Sequence, residues 1–249
     1  MTISRYSLPS EQSLRIAIAS DYHSNKRKES GLPYVELIRK EKPDIIAVPG
    51  DIFTDADTLD LEDSVNYDGV AFLRKCTAIA PVFYSIGNHE HSLSESNKKK
   101  LIQSGITVLE NDYVSYNGIN IGGLALSYRL TQAKRPICPP PDPEFLRKFS
   151  STAGYKILLC HHPDYWNKYI CKYPIDLTIS GHAHGGQIQL FGRGLYAPGQ
   201  GVLPHYTHGI HSDGSNPTRS LVISRGMTNT VPIPRLFNPC EIVMLDIGG

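Results

Sequence analysis

The chain has 249 residues, a formal net charge of +1, 40% apolar and 20% charged residues. That balance is ordinary for a globular protein and gives no polyanion-binding tail or acidic solvating segment. A chain of this length buries a substantial core without disulfides. Its five cysteines, Cys76, Cys138, Cys160, Cys171 and Cys240, are odd in number and show no C-x-x-C spacing. A disulfide framework or a zinc knuckle is therefore not expected, and reduced thiols suit the cytosol. The N-terminus has no apolar run of signal-peptide type, and no stretch approaches the roughly 18 apolar residues of a membrane span. The expected placement is cytoplasmic, or peripheral at a membrane.

In chain order, "LRIAIASD" (14–21) reads as a strand ending in an acid. "LPYVELIRKEKP" (32–43) has helical apolar spacing, with Pro33 near its start and Pro43 after its end. "DIIAVPGD" (44–51) is a buried strand, "VAFLRKCTAI" (70–79) a helix and "PVFYSIGNHE" (81–90) a third strand. This alternation predicts a parallel α/β sheet. "SESNKKKLIQSG" (94–105) reads as a short helix closed by Gly105. "ITVLEND" (106–112), "YVSYNGINIGGLAL" (113–126) and "KILLCHHPD" (156–164) read as strands, with Asn117-Gly118 as a hairpin turn. The Pro-rich "KRPICPPPDPEF" (134–145) reads as a surface excursion or lid. Beyond Gly181 the chain is rich in turns, then closes on strands at 220–226 and 241–248. The second half is thus expected to give a more antiparallel sheet. The whole chain, 1–249, reads as one domain with two sheets face to face and helices outside.

Five apolar runs end in polar residues that strands do not need. They deliver Asp21 and His23; Asp51; Asn88, His89 and Glu90; His161 and His162; and His182 and His184. In open α/β sheets ligands bind beyond the carboxyl ends of strands, so these residues are expected to meet in space. Imidazole, carboxylate and carboxamide oxygen form a mixed N/O donor set suited to zinc, iron or manganese. Singly, each has a plain structural reading: Asp21 as a turn or cap residue, Gly50-Asp51 and Asn88 as turn chemistry, His161 as a structural histidine. Together, five such placements with complementary chemistry read as a metal site.

D-x-H (21–23), G-D (50–51), G-N-H-E (87–90), His161 and G-H-x-H (181–184), in this order and spacing, resemble the calcineurin-like metallophosphoesterases. "GHAHGGQIQL" and the closing "SRGM…PIPRLFNPCEIVML" are similar to a bacterial branch that includes enzymes cleaving UDP-2,3-diacylglucosamine at its pyrophosphate. The resemblance implies a four-layer α/β/β/α sandwich with two divalent metal ions. Carried over, Asp21, His23, Asp51 and His184 would hold one ion. Asp51 would bridge to a second, completed by Asn88, His161 and His182. His89 would be the catalytic histidine that meets substrate, with Asn88 and Asp51 beside it in the reaction. Two such ions attract a phosphate and acidify a water, so that hydroxide attacks phosphorus in line. His89 would stabilise the transition state or protonate the leaving oxygen.

The implied substrate is a small-molecule phosphodiester or pyrophosphate, nucleotide-linked or lipid-linked. Nucleic acid is not favoured, since no long basic run is present. A nuclease or cyclic-nucleotide phosphodiesterase on the same site is the alternative, and a non-catalytic scaffold of the same fold is a third reading. Protein phosphatases of this family carry an acid three residues after G-D, then Arg-Gly. Here position 54 is threonine and no Arg-Gly follows, which argues against that activity. Asp55 and Glu90 remain candidates to orient His89. Because neighbours on a strand face opposite ways, His161 and His162 are not both expected to be ligands; the resemblance favours His161 and leaves His162 in a pocket or at the surface. "NKRKE" (25–29) is either a phosphate-attracting or a solvated loop. His205, His208 and His211 either line an entrance or lie in an exposed loop. Arg225 is a phosphate-binding candidate. Gly181, Gly185 and Gly186 are expected to let the chain turn sharply around His182 and His184.

Overall fold

The computed structural model describes residues 2–24, 31–54, 67–90, 93–125, 129–130, 136–137, 140–197, 200–214, 216–229 and 234–248. The "NKRKE" stretch, Asp55 and Cys138 lie outside them. Twelve strands form two six-stranded mixed sheets. The first runs, in spatial order, Thr2–Leu8, Glu241–Ile247, Leu14–Ile18, Ile45–Val48, Val82–Ser85 and Ile106–Leu109. The second runs Gly209–Asp213, Asn216–Ile223, Leu177–Ser180, Tyr155–Cys160, Ile119–Leu124 and Asp112–Tyr116.

Alternation within the strands sorts the residues into layers. Ile16 and Ile18 of the first sheet meet Ile157, Leu159, Leu177 and Ile179 of the second in one buried cluster between the sheets. The opposite face of the first sheet, with Ala17, Ile46, Val48 and Met244, packs on Val35, Ile38, Phe72 and Leu73. Those side chains come from the helices Leu32–Glu41 and Tyr67–Thr77. Behind the second sheet, Leu158, Leu221 and Ile223 pack on Phe145, Phe149 and Trp166. These lie on the helices Pro143–Ser150 and Asp164–Lys168. The order is therefore helix, sheet, sheet, helix. Each fully buried Ile or Leu contributes about 1.5–3 kcal/mol relative to exposure, so strands apolar on both faces hold their register firmly.

Local signals set the element ends. Pro33 opens the helix Leu32–Glu41, and Lys42 closes it in the left-handed region at φ 50°. Ser94 caps the helix Glu95–Gln103 by accepting from the Asn97 N–H at 3.2 Å. Asn117 (φ 48°) and Gly118 (φ 81°) form the two-residue hairpin turn pairing Tyr116 with Ile119.

Two expectations need correction. The second sheet is antiparallel only at its two edges, and its three central pairings are parallel. The strand Glu241–Ile247 joins the first sheet, antiparallel to Leu14–Ile18 and parallel to Thr2–Leu8, a strand not expected from the sequence. Thr2–Leu8 is an edge strand with few buried positions, so its apolar pattern is weak. The Pro-rich stretch ends in structure: Asp142 accepts from the Glu144 and Phe145 N–H groups and starts the helix Pro143–Ser150. Among the described residues no helix is long and apolar enough to cross a membrane. Cys76, Cys160, Cys171 and Cys240 are free thiols.

Candidate metal centre

All five ligand-bearing segments leave the carboxyl ends of parallel central strands. Leu14–Ile18, Ile45–Val48 and Val82–Ser85 supply Asp21 with His23, Asp51, and Asn88 with His89. Tyr155–Cys160 and Leu177–Ser180 supply His161 with His162, and His182 with His184. Sheet pairing continues past the strands and draws the segments together: Asp21 N–H donates to Gly50 O (3.2 Å), His23 N–H to Asp51 O (3.1 Å) and Gly181 N–H to His161 O (3.1 Å).

The approach is closer than a side chain permits. A Cβ on Gly87 would lie 2.2 Å from Asp51 Oδ1, and one on Gly181 2.0 Å from Ser20 Oγ and 2.4 Å from Asp21 Oδ2. The backbone is also strained. Asp21 (φ 53°), His23 (φ 45°), Asp51 (φ 54°), His182 (φ 66°) and His184 (φ 46°) all occupy the left-handed region. Asp and His tolerate that region better than most residues, but each such position costs on the order of 1–3 kcal/mol. Strain concentrated on donor residues marks a site rather than a set of turns.

"GHAHGGQ" does not continue as a strand. Ala183 N–H donates to Gly181 O (2.7 Å), a three-residue turn around His182. A second such turn, around Gln187, joins Ile188 N–H to Gly186 O (2.7 Å). His182 and His184 are thereby aimed at different places. His184 groups with Asp21 and His23, and His182 with His161 and His162, each set having donor atoms within 4.8 Å of one another. Two further sets of this kind, His23–Asp51–His89 and Asp21–Asp51–His161, link the first two. Asp51 stands between them: its Oδ2 is 3.0 Å from His161 Nε2 and 3.9 Å from His23 Nε2, and its Oδ1 accepts from the His89 N–H at 3.0 Å. Asn88 opens the short 3₁₀ turn after Ser85 and places its Oδ1 in a buried position.

His162 lies in the pocket with His161. It is buried, its ring stacks on His182 at 3.8 Å, and it shares the imidazole set with His161. The strand ends at Cys160, so His161 and His162 follow loop geometry and do not alternate as strand neighbours would. Burial holds the His162 imidazole at a pKa of about 3, with the His161 charge adding to the effect. Burial likewise holds His23 and His184 near 3, leaving them neutral donors. Both ring nitrogens of His23 are buried without a hydrogen-bond partner. An imidazole stranded in that way is costly, and a cation would satisfy it. The donor chemistry thus fits divalent metal.

His161 and Asp51 behave as an ion pair. Burial opposes the charge on His161, but Asp51 raises its pKa to about 9. Burial likewise pushes Asp51 up, yet His161, His23 and His89 hold it well below the usual carboxylate range. His161 Nδ1 faces Pro49 O at 3.0 Å, which directs Nε2 inward. Arg235 Nη2 donates to His184 Nδ1 at 2.7 Å. In this arrangement the His184 ring proton sits on Nε2, so ligation through that nitrogen requires Arg235 to release Nδ1.

Of the two candidate partners, Glu90 does not orient His89. Asp55 lies outside the described residues. Glu90 turns away and accepts four backbone N–H groups, from Gly87 (2.8 Å), Asp51 (2.9 Å), Ile52 (2.6 Å) and Phe53 (3.0 Å). It clamps the G-D loop to the G-N-H-E turn. His89 is instead held by the Thr54 carbonyl, 2.9 Å from its Nδ1. A backbone acceptor carries no sequence signal, so sequence reading could not find it. Arg225 is committed to buried Glu241, with Nε 2.9 Å and Nη2 2.5 Å from Oε2, and is not a free phosphate ligand. Asn238, unnoticed in the sequence, donates to His184 O (2.7 Å) and Gln187 O (3.0 Å) and pins the "GHAHGGQ" turn. His205, His208 and His211 line a cavity of ≈ 440 Å³ beside that turn, together with Arg193 and Leu203.

Two sandwiched sheets with carboxylates and imidazoles gathered at their strand ends define a metal-dependent phosphoesterase architecture. The chain belongs to the calcineurin-like phosphoesterase family, whose model matches residues 14–186. It is 31% identical over 208 residues to the uncharacterized metallophosphoesterase YkuE of Bacillus subtilis, covering 81% of this chain and 67% of that protein. A metallophosphoesterase of Campylobacter jejuni, Cj0846, is 28% identical over 96% of this chain, which spans 60% of its length. The phosphodiesterase YaeI of Escherichia coli is 28% identical, covering 84% of this chain and 72% of that protein. Among solved structures, TT1561 of Thermus thermophilus aligns with a TM-score of 0.52 at 15% identity, over 85% of this chain and 89% of that one. That likeness shows the fold.

Proposed function

We propose that the protein is a two-metal phosphohydrolase acting on a small-molecule phosphodiester or pyrophosphate, with residues 1–249 working as one domain. The observation that carries this reading is the position of Asp51, one carboxylate between an Asp21–His23–His184 set and a His161–His182 set. Asp21, His23, Asp51 and His184 would hold one ion, and Asp51, Asn88, His161 and His182 the other. Two divalent ions, when bound, supply the positive charge that draws in a phosphoryl group and acidify a water molecule. Zinc, iron and manganese all accept this donor set.

The chain's own residues do the rest. Asp51, anchored through its backbone by Glu90, keeps the two donor sets at fixed separation. His89 is half-buried at the edge of the site, and with Nδ1 held by Thr54 its Nε2 exchanges a proton with the leaving oxygen. The likeness to YaeI, a phosphodiesterase, supports the diester reading. The C-terminal "PIPRLFNPCE" motif, which supplies Arg235 and Asn238 to the site, makes a nucleotide-linked lipid pyrophosphate the first compound to screen.

The test is elemental analysis of the purified protein, followed by turnover of bis-p-nitrophenyl phosphate with added manganese. Roughly two metals per chain and measurable hydrolysis are expected. Less than about one metal after reconstitution, together with no turnover, would sink the reading.

A further inference from the structure

Eight large hydrophobic side chains stand exposed among the described residues, and seven of them lie beside the "GHAHGGQ" turn. Leu190 and Phe191 crown a tight hairpin in which Gln189–Leu190 pairs with Arg193–Gly194. Tyr196, Val202 and Leu203 belong to the next small hairpin, tied to the first through Leu195 N–H donating to Ile188 O at 2.9 Å. Leu236 and Phe237 join through the Ile188–Leu236 bridge and through Gln189 N–H donating to Leu236 O at 3.0 Å. The face is therefore continuous.

Its apolar residues sit at protruding tips. Phe191 is fully exposed at 104%, and Phe191, Leu203 and Phe237 each hold a left-handed φ, between 52° and 56°. Bulky residues rarely take that conformation, least of all to point an apolar side chain at water. Soluble surfaces seldom carry a contiguous patch of this kind without a partner.

Charge identifies the partner. Between Asp176 and Glu241 the only acidic residue is Asp213, although the chain has 24 acids. The tips share their surface with exposed Arg193 and with the cavity lined by His205, His208 and His211. A second copy docked hairpin to hairpin would bury Arg193 unpaired, since residues 186–212 hold no carboxylate to meet it. Aromatic and leucine tips beside an arginine, with no acid among them, match a bilayer interface with anionic head groups.

We propose that this face docks on an anionic lipid bilayer, with Phe191, Val202, Leu203 and Phe237 entering the interface and Arg193 meeting lipid phosphate. The metal centre adjoins it, since Leu195 N–H donates to Gly186 O at 3.1 Å within the His184–Gly186 turn. Docking would present that centre to a membrane-held phosphoester; this last clause alone rests on the proposed function.

The experiment is cosedimentation of the metal-loaded protein with phosphatidylcholine vesicles, with and without phosphatidylglycerol. Binding to the phosphatidylglycerol vesicles is expected, and Phe191→Ser and Val202→Ser should each weaken it about tenfold. Arg193→Gln should weaken binding to the anionic vesicles and leave binding to neutral ones unchanged. These exposed variants should keep the metal content and thermal midpoint of the parent, which separates lost docking from misfolding. No binding to either vesicle overturns the proposal, as does a dimer in light scattering that Phe191→Ser dissolves. Vesicle binding without hydrolysis of bis-p-nitrophenyl phosphate would leave docking standing and sink the phosphohydrolase reading; hydrolysis without vesicle binding does the reverse.

Discussion

The two donor sets at the heart of the site differ in chemistry although they come from the same kind of strand end. The Asp21–His23–His184 set carries a carboxylate and lies where the first sheet meets the "GHAHGGQ" turn. The His161–His162–His182 set is all imidazole and is fed by the second sheet. In the first, Asp21 accepts from Ser20 Oγ (2.6 Å) and from His182 N–H (3.0 Å), so its orientation is set before any ligand arrives. In the second, His162 stacks on His182, and Asp51 brings a carboxylate oxygen to 3.0 Å from His161 Nε2. The first set is thus arranged mainly by hydrogen bonds, the second mainly by ring packing and the Asp51 carboxylate.

The largest test of that difference is Asp51→Asn. Losing the shared charge should remove metal from both sets and lower kcat by at least about 1000-fold, as read by elemental analysis and bis-p-nitrophenyl phosphate turnover. If both metals stay bound at parental affinity, Asp51 is not the link between the sets. His89→Ala should cost about 10²–10⁴-fold in kcat with metal content unchanged, as the role proposed for His89 on the substrate requires. Metal loss in that variant would move His89 into the ligand set.

Single imidazole deletions should then separate the sets. His184→Ala should weaken one metal and His182→Ala the other, each by about 10–100-fold or more in affinity. His162→Ala discriminates further. A fall in the second metal's affinity matching that of His182→Ala makes His162 a ligand, whereas a lower thermal midpoint with full metal content makes it a packing partner of His182.

The smallest effect is in pH. Metal-free His161 keeps its proton to about pH 9 because Asp51 stabilises the charged form. Its folded pKa is raised, so the pair's contribution to stability is complete below the unfolded value of about 6.5 and is lost as pH rises through 9. Metal must displace that proton, so titration calorimetry at pH 7 in two buffers of different ionisation enthalpy should report about one proton released. His161→Gln should abolish the release.

Much of the site was legible because its chemistry is local in sequence. A strand that ends in Asp-x-His, Gly-Asp or Asn-His names its donors wherever the strand later lies. The four-layer order was legible as well, since Ile45–Val48 is apolar on both faces and needs cover on both sides. Strand alternation could not tell His161 from His162, because the last strand residue is Cys160. Arg225 looked available because its partner, Glu241, is 16 residues away in another strand.

By itself, the sequence determined the donor types, their order and the sheet-forming runs that carry them, because hydrophobic period and side-chain chemistry are properties of short stretches. Only the tertiary structure decided which donors share a set, that the Thr54 carbonyl meets His89 Nδ1, and that Glu90 clamps two loops. It also decided the left-handed turns that split His182 from His184, and the union of three distant segments into one apolar, acid-poor face. Backbone conformation and backbone acceptors depend on what long-range packing presses together, and residue identity alone does not encode them.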